Sequence, residues 1–192
     1  MPRALDSLVG AIVQLVDALE SAGVSYALGG AIAYSAWGEP RATRDVDVNV
    51  WFAPGRFDDL LLVLTTAGVA FDPEKARRDA EERGMFVGRH GEYRVDVFVP
   101  SVPFYAEALA RRVRTRFADR DTWVLSPEVL SVFKMLFFRP KDLADVGRLL
   151  QIQRGRFDTG FVRRWLVEML GAGDERIVAW DRLVAESERG SG

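Results

Sequence analysis

The 192-residue chain is 48% hydrophobic and 28% charged, with a net charge of −2. That is enough apolar material for one domain, or one domain with a helical appendage, and it excludes a disordered, collagen-like or disulfide-stapled chain. With no cysteine and a single histidine, His90, thiolate chemistry and multi-histidine zinc sites are excluded too. No apolar run reaches the ~18–20 residues of a membrane span, and the N-terminus lacks a signal peptide's apolar stretch. The expectation is a cytoplasmic chain without a membrane partner.

Apolar residues at helical spacing (Leu8, Ile12, Leu15, Val16, Leu19) predict a helix over 6–22, with Asp6 as its cap and Gly23 at its end. Residues 24–28 read as a buried strand, Gly29-Gly30 as a corner and 31–37 as a small-residue helix broken at Gly38-Glu39-Pro40. Strict alternation over 45–52 predicts a strand with two unlike faces. An apolar helix over 57–67 follows, then a charged helix over 74–83. Strands at 85–87 and 92–99 are expected to join around Arg89-His90-Gly91. A short helix spans 104–112, and 114–117 and 122–125 are short strands. Ser126-Pro127 starts a helix running to about Phe138. Arg139-Pro140 interrupts it, and helices over 141–153, 158–170 and 174–188 complete the chain. The pattern is α/β (α+β) in 1–125 and helical in 126–188, with 186–192 read as a polar tail, flexible over 189–192.

The carboxylates are the most informative residues. Strand side chains two apart share a face, so Asp45 and Asp47 lie together, opposite Val46, Val48 and Val50. Like charges side by side need a counter-cation, and a hard divalent ion such as Mg²⁺ suits carboxylate oxygen and phosphate. Asp96 stands on the polar face of a later strand in the same way, between Val95 and Val97. Gly29-Gly30, between a strand and a helix start, lets a phosphate approach backbone N–H groups. Each feature alone has an ordinary explanation: a solvated strand face, a common turn, or, for Asp96, a surface acid paired with arginine.

In combination, Leu28-Gly29-Gly30, the string Arg41-Ala42-Thr43-Arg44-Asp45-Val46-Asp47-Val48 and the later Asp96 resemble the nucleotidyltransferase superfamily that includes DNA polymerase β. Within it, this string and 134–145 (Lys134-Met135-Leu136-Phe137-Phe138-Arg139-Pro140-Lys141-Asp142-Leu143-Ala144-Asp145) resemble the AbiEii-type toxins of bacterial toxin–antitoxin systems. The resemblance covers about residues 24–150. It implies a nucleotidyltransferase fold, a small mixed sheet flanked by helices, with a catalytic core over 1–125 and a C-terminal helical bundle over 126–188. It also implies that Asp45, Asp47 and Asp96 hold two Mg²⁺ ions in a two-metal displacement on a nucleoside triphosphate. Asp96 would in addition help deprotonate the attacking hydroxyl. Gly29 and Gly30 would cradle the phosphates, Lys134 would neutralise the triphosphate, and Arg41, Thr43 and Arg44 would contact phosphate or pyrophosphate. Where many relatives carry Ser after the first Gly, this chain has Gly30, which removes a hydroxyl from the cradle.

Lys134 sits in an otherwise apolar helix, where a lone cation needs an anionic partner or a route to water. Asp142 suits the start of the following helix, and Asp145 is expected to pair with Lys141 or Arg148. Arginine dominates the basic residues: 26 in all, only three of them lysine (Lys75, Lys134, Lys141). Arg111, Arg112, Arg114, Arg116 and Arg120 form a dense stretch, and further arginines follow on the helices. If these converge on the cleft they make a track for a phosphate backbone, with Phe117 and Trp123 either stacking on bases or serving as core. The resemblance implies an RNA acceptor, most plausibly a tRNA 3′ end, and a cognate antitoxin protein. A small-molecule (antibiotic-type) nucleotidyltransferase and a non-catalytic nucleotide-binding module are the alternatives.

Overall fold

The computed structural model describes residues 7–40 and 42–189; Asp6 and Arg41, two residues given roles above, lie outside the described residues. Helix α1 (Leu8–Ser21) is capped by Ser7, whose hydroxyl accepts the Gly10 N–H at 3.0 Å. Leu15, Val16 and Leu19 bury its apolar face. Strand β1 (Ser25–Leu28) leads through Gly29 into α2 (Gly30–Trp37), and β2 (Asp45–Trp51) follows. Helices α3 (Phe57–Thr66) and α4 (Pro73–Arg83) precede the hairpin β3 (Met85–His90) and β4 (Tyr93–Phe98). Helix α5 (Phe104–Ala110) and a second hairpin, β5 (Val113–Phe117) and β6 (Arg120–Val124), complete the first two thirds. Four helices end the chain: α6 (Pro127–Phe137), α7 (Pro140–Ile152), α8 (Thr159–Leu170) and α9 (Glu175–Arg189).

The six strands form one mixed sheet in the order β3-β4-β2-β1-β6-β5. Strands β2 and β4 run parallel, as do β1 and β6, and the other neighbours are antiparallel. Val46, Val48 and Val50 of β2 and Val95 and Val97 of β4 are buried on one face, as their alternation predicts. The opposite face of the same strands carries Asp45, Asp47, Asn49 and Asp96. Helix α2 packs over β2 and touches α6 and α7. It is tied down at its C-terminus, where the Trp37 indole donates to the Leu125 carbonyl (2.6 Å) and Gln153 donates to the Trp37 carbonyl (2.6 Å). This is the mixed sheet flanked by helices that the sequence leads one to expect.

Two expectations need correction. The first hairpin turns at Gly91-Glu92, because β3 continues through Arg89 and His90 to pair with β4; His90 Nε2 lies 2.7 Å from Gln14 Oε1. The C-terminal helix does not give way to a tail at 186. It runs to Arg189, anchored by buried Ile177 and Trp180 and by the Arg154 guanidinium, which donates to the Glu188 carbonyl. Residues 190–192 lie outside the described residues.

Candidate active site

The parallel register of β2 and β4 pairs Asp47 with Asp96 and Asp45 with Arg94. Directly opposed positions on one sheet face bring side chains into contact range, so the two central acids stand side by side, with Asp45 two residues back toward the exposed strand start. All three line one cavity. Burial, then the charges of Asp96 and Asp45, push the Asp47 carboxyl up to about 6, against the pull of Lys134 and Arg139 across the cavity. Asp96 is turned toward Arg94, whose Nε lies 2.7 Å from Oδ1. With that pair formed, no group of three acidic or histidine side chains among the described residues converges closely enough to hold a metal ion. Arg94 is about half exposed whereas Asp96 is mostly buried, so the arginine can swing into solvent and leave the carboxylate to another cation.

The glycine corner belongs to the same cavity. Gly30 has φ +50°, and a Cβ on it would lie 1.8 Å from Asp47 Oδ2. A side chain at this position would have to push the Asp47 carboxylate aside, and the positive φ disfavours one as well. The Gly29 N–H is already committed to the Asp47 carbonyl (2.8 Å), so of the two expected cradle amides only that of Gly30 belongs to the first turn of α2. That helix has no side-chain cap, which leaves its first N–H groups as ready anion donors. Replacing Gly30 with alanine is expected to displace the Asp47 carboxylate and to lower activity at least as far as Asp47→Ala does, with a loss of stability; activity and a thermal melt of the variant check this.

The remaining expected residues fall into two groups. Thr43 and Lys134 line the cavity; Arg44 is exposed and outside its lining. The Thr43 hydroxyl accepts the Asp45 N–H at 3.1 Å and so fixes the start of β2. Lys134 does not reach for solvent. Its ammonium is buried, donating to Asp145 at 2.6 Å and to Asp142 at 3.3 Å. The expected partners of Asp145 are thereby corrected: helix α7 folds back on α6 and offers it Lys134, while Arg148 pairs with Glu39 across to the α2 corner. Asp142 also accepts from Arg139 Nε at 2.6 Å. Burial alone pushes Asp142 up, but the Arg139 hydrogen bond and the Lys134 charge outweigh it and hold the carboxyl below its ordinary value.

Sequence reasoning passed over Asn49, Phe98, Phe137 and the cavity position of Arg139. Asn49 continues the Asp45, Asp47 alternation by one more step, which was the available signal. It is buried, and a Cβ on Gly29 would approach its amide nitrogen to 3.0 Å, so it backs the glycine corner.

Much of the basic stretch is internally engaged. Arg111 pairs with Glu107, Arg116 with Asp121, and Arg120 with Asp17 and Glu20. Arg112 donates to the Tyr26 carbonyl, and both Arg112 and Arg114 lie over the Trp123 ring. Phe117 and Trp123 are half-buried against the core. Of the basic residues expected to form a track, Arg139 and Lys141 reach the cavity.

Asp45, Asp47 and Asp96 bring hard carboxylate oxygens to one cavity, the donor type that divalent cations of the Mg²⁺ kind prefer.

No protein-family model matches the sequence, and no curated protein matches it. Among solved structures, the chain is similar to the solution structure of the antibiotic-resistance factor ANT(2″)-Ia, with TM-score 0.55 and 16% identity over 94% of this chain and 90% of that one. The crystal structure of ANT(2″)-Ia in complex with adenylyl-2″-tobramycin matches with TM-score 0.52 and 17% identity, over 93% and 97%. At these identities the likeness is one of fold.

Proposed function

We propose that the chain transfers a nucleoside monophosphate from a nucleoside triphosphate to a hydroxyl acceptor, the acceptor oxygen bonding to the α-phosphorus as the bond to the β-phosphate breaks and pyrophosphate leaves, with Asp45, Asp47 and Asp96 holding two Mg²⁺ ions. The observation that carries this reading is the β2–β4 register, which sets Asp47 against Asp96 beside a glycine whose Cβ would fall on the Asp47 carboxylate. The fold shared with ANT(2″)-Ia, a factor whose structure holds adenylyl-2″-tobramycin, supports it.

Bound metal would stabilise the entering and leaving oxygens of the displacement. The chain's own residues do the rest. The Gly30 end of α2 donates backbone N–H groups to the phosphates. Asp96, released from Arg94, accepts the proton of the attacking hydroxyl. Lys134, held rigidly by Asp142 and Asp145, acts on the site through its charge and not as a free phosphate donor. Arg139 and Lys141 meet the triphosphate or the acceptor at the rim. Asp47→Ala is expected to lower transfer by about a thousandfold or more while the melting transition stays cooperative, because Asp47 contributes no packing to the core.

The acceptor we favour is RNA, a tRNA 3′ end, with the chain acting as a toxin restrained by an antitoxin protein. This rests on the AbiEii-like strings and on Lys141 at the rim of the cavity. The small-molecule acceptor remains a second reading because most of the basic stretch is paired within the protein. Incubation with each nucleoside triphosphate, labelled at the α- or the γ-phosphate, plus total cellular RNA and Mg²⁺, tests both. An α-labelled RNA band of one size, with no band from γ-label, is expected. RNA binding should then fall steeply with salt. Label on a small acceptor alone overturns the RNA reading, and no α-label transfer to any acceptor overturns the function.

A further inference from the structure

The cavity has an aromatic end as well as an acidic one. Phe98 follows Asp96 by two residues on β4 and shares its face, about 7 Å along the strand. Its ring meets that of Phe137 at the end of α6, with centroids 6.0 Å apart. The Arg139 guanidinium lies over Phe137, 5.0 Å from its centroid, and is fixed there by Asp142. Between them, Phe138 adopts a left-handed conformation (φ +54°), which bulky residues rarely take. This turn brings Arg139 back over the ring. Phe137 is 49% exposed, although most of α6 is buried. An exposed aromatic ring, a planar cation stacked on it and the carboxylates of Asp45, Asp47 and Asp96, with Asp96 two residues along the strand from Phe98, share one cavity.

We infer that Phe137 and Arg139, backed by Phe98, form the subsite for the heterocyclic base of the bound nucleoside triphosphate. The inference rests on the nucleotidyl-transfer reading and extends it. With the phosphates at Gly30 and the acids, the ribose spans the step from Asp96 to Phe98, and the base arrives at the aromatic end. Stacking on a side-chain ring is available to every base and is strengthened by a neighbouring guanidinium.

Calorimetric titration with ATP, GTP, CTP, UTP and inorganic tripolyphosphate, each with Mg²⁺, tests it. Phe137→Ala is expected to bind the best of the four nucleotides roughly 5- to 150-fold more weakly and to leave tripolyphosphate within about twofold. Phe137→Leu keeps the apolar bulk without the π-face and should behave like the alanine variant, whereas Phe137→Trp should restore binding and have its fluorescence quenched by the nucleotide. Unchanged nucleotide binding in Phe137→Ala overturns the subsite alone. So does an equal loss for nucleotide and tripolyphosphate, or a loss seen only in the KM for RNA, which would move the stack to the acceptor's base. A wild-type protein that binds neither nucleotide nor tripolyphosphate overturns the transfer reading along with it.

Discussion

Replacing Lys134 with alanine is expected to cost about 3–5 kcal/mol of folding stability. The ammonium is buried between two buried carboxylates, Asp145 at 2.6 Å and Asp142 at 3.3 Å. Without it, Asp142 keeps Arg139 but two buried carboxylates lose the cation that lies between them. The sign with pH follows from Asp142, whose folded carboxyl is held low. Its contribution is present above the unfolded value near 4 and is lost as pH falls through the folded one. The deficit of Lys134→Ala should therefore shrink in acid, where the Asp142 carboxylate takes up a proton. Urea unfolding of Lys134→Ala against a Lys134→Ala, Asp142→Asn, Asp145→Asn triple variant separates charge from packing, because the triple variant should regain most of the loss. A single variant within about 1 kcal/mol of wild type would show that the network is not a buried ionic one.

Asp47→Asn should act in the opposite direction on stability while removing activity. The folded Asp47 carboxyl keeps its proton up to about pH 6, and the unfolded one to about 4. Between these values the folded state binds more protons, so in the metal-free protein this group's contribution is full below about pH 4 and is lost as pH rises through 6. At neutral pH the ionised cluster is penalised by two pKa units, about 3 kcal/mol as an upper estimate. Asp47→Asn should therefore be more stable than metal-free wild type at pH 7, by about 1–3 kcal/mol, with the difference vanishing near pH 4. Chemical denaturation across pH measures it. Such a trade, stability given up for a site that needs like charges together, is what a functional cluster predicts.

How far the site could be read from sequence depended on distance along the chain. The alternation over 45–52 assigned Asp45 and Asp47 to one face, because period two is a local property of a strand. That Asp96 stands beside Asp47 and not one residue off is a matter of β2–β4 register, which no local pattern contains. The partners of Lys134 were missed for a related reason. Asp142 and Asp145 lie beyond the Arg139-Pro140 break, so helical spacing pointed to Lys141 and Arg148, and only the fold-back of α7 on α6 brings them to Lys134. Gly30 was recognisable as a corner, but the reason it must be glycine is a contact with Asp47, 17 positions away in sequence. The arginine stretch shows the converse failure. Composition suggested a track for nucleic acid, whereas the hairpin and α1 supply Asp121, Asp17 and Glu20 as internal partners. The last helix was legible to 188 from its apolar spacing, and anchored at Ile177 and Trp180 it runs one residue further, to Arg189.

The central claim is that Asp45, Asp47 and Asp96 jointly bind divalent cations for nucleotidyl transfer. Titration of the protein with Mn²⁺ as a paramagnetic stand-in for Mg²⁺, with nucleoside triphosphate present and free Mn²⁺ counted by electron paramagnetic resonance, tests it most directly. Two ions bound per chain in the wild type, displaced by Mg²⁺ and lost in Asp47→Asn and Asp96→Asn, is the predicted result. Equal ion binding in the wild type and both variants would contradict it.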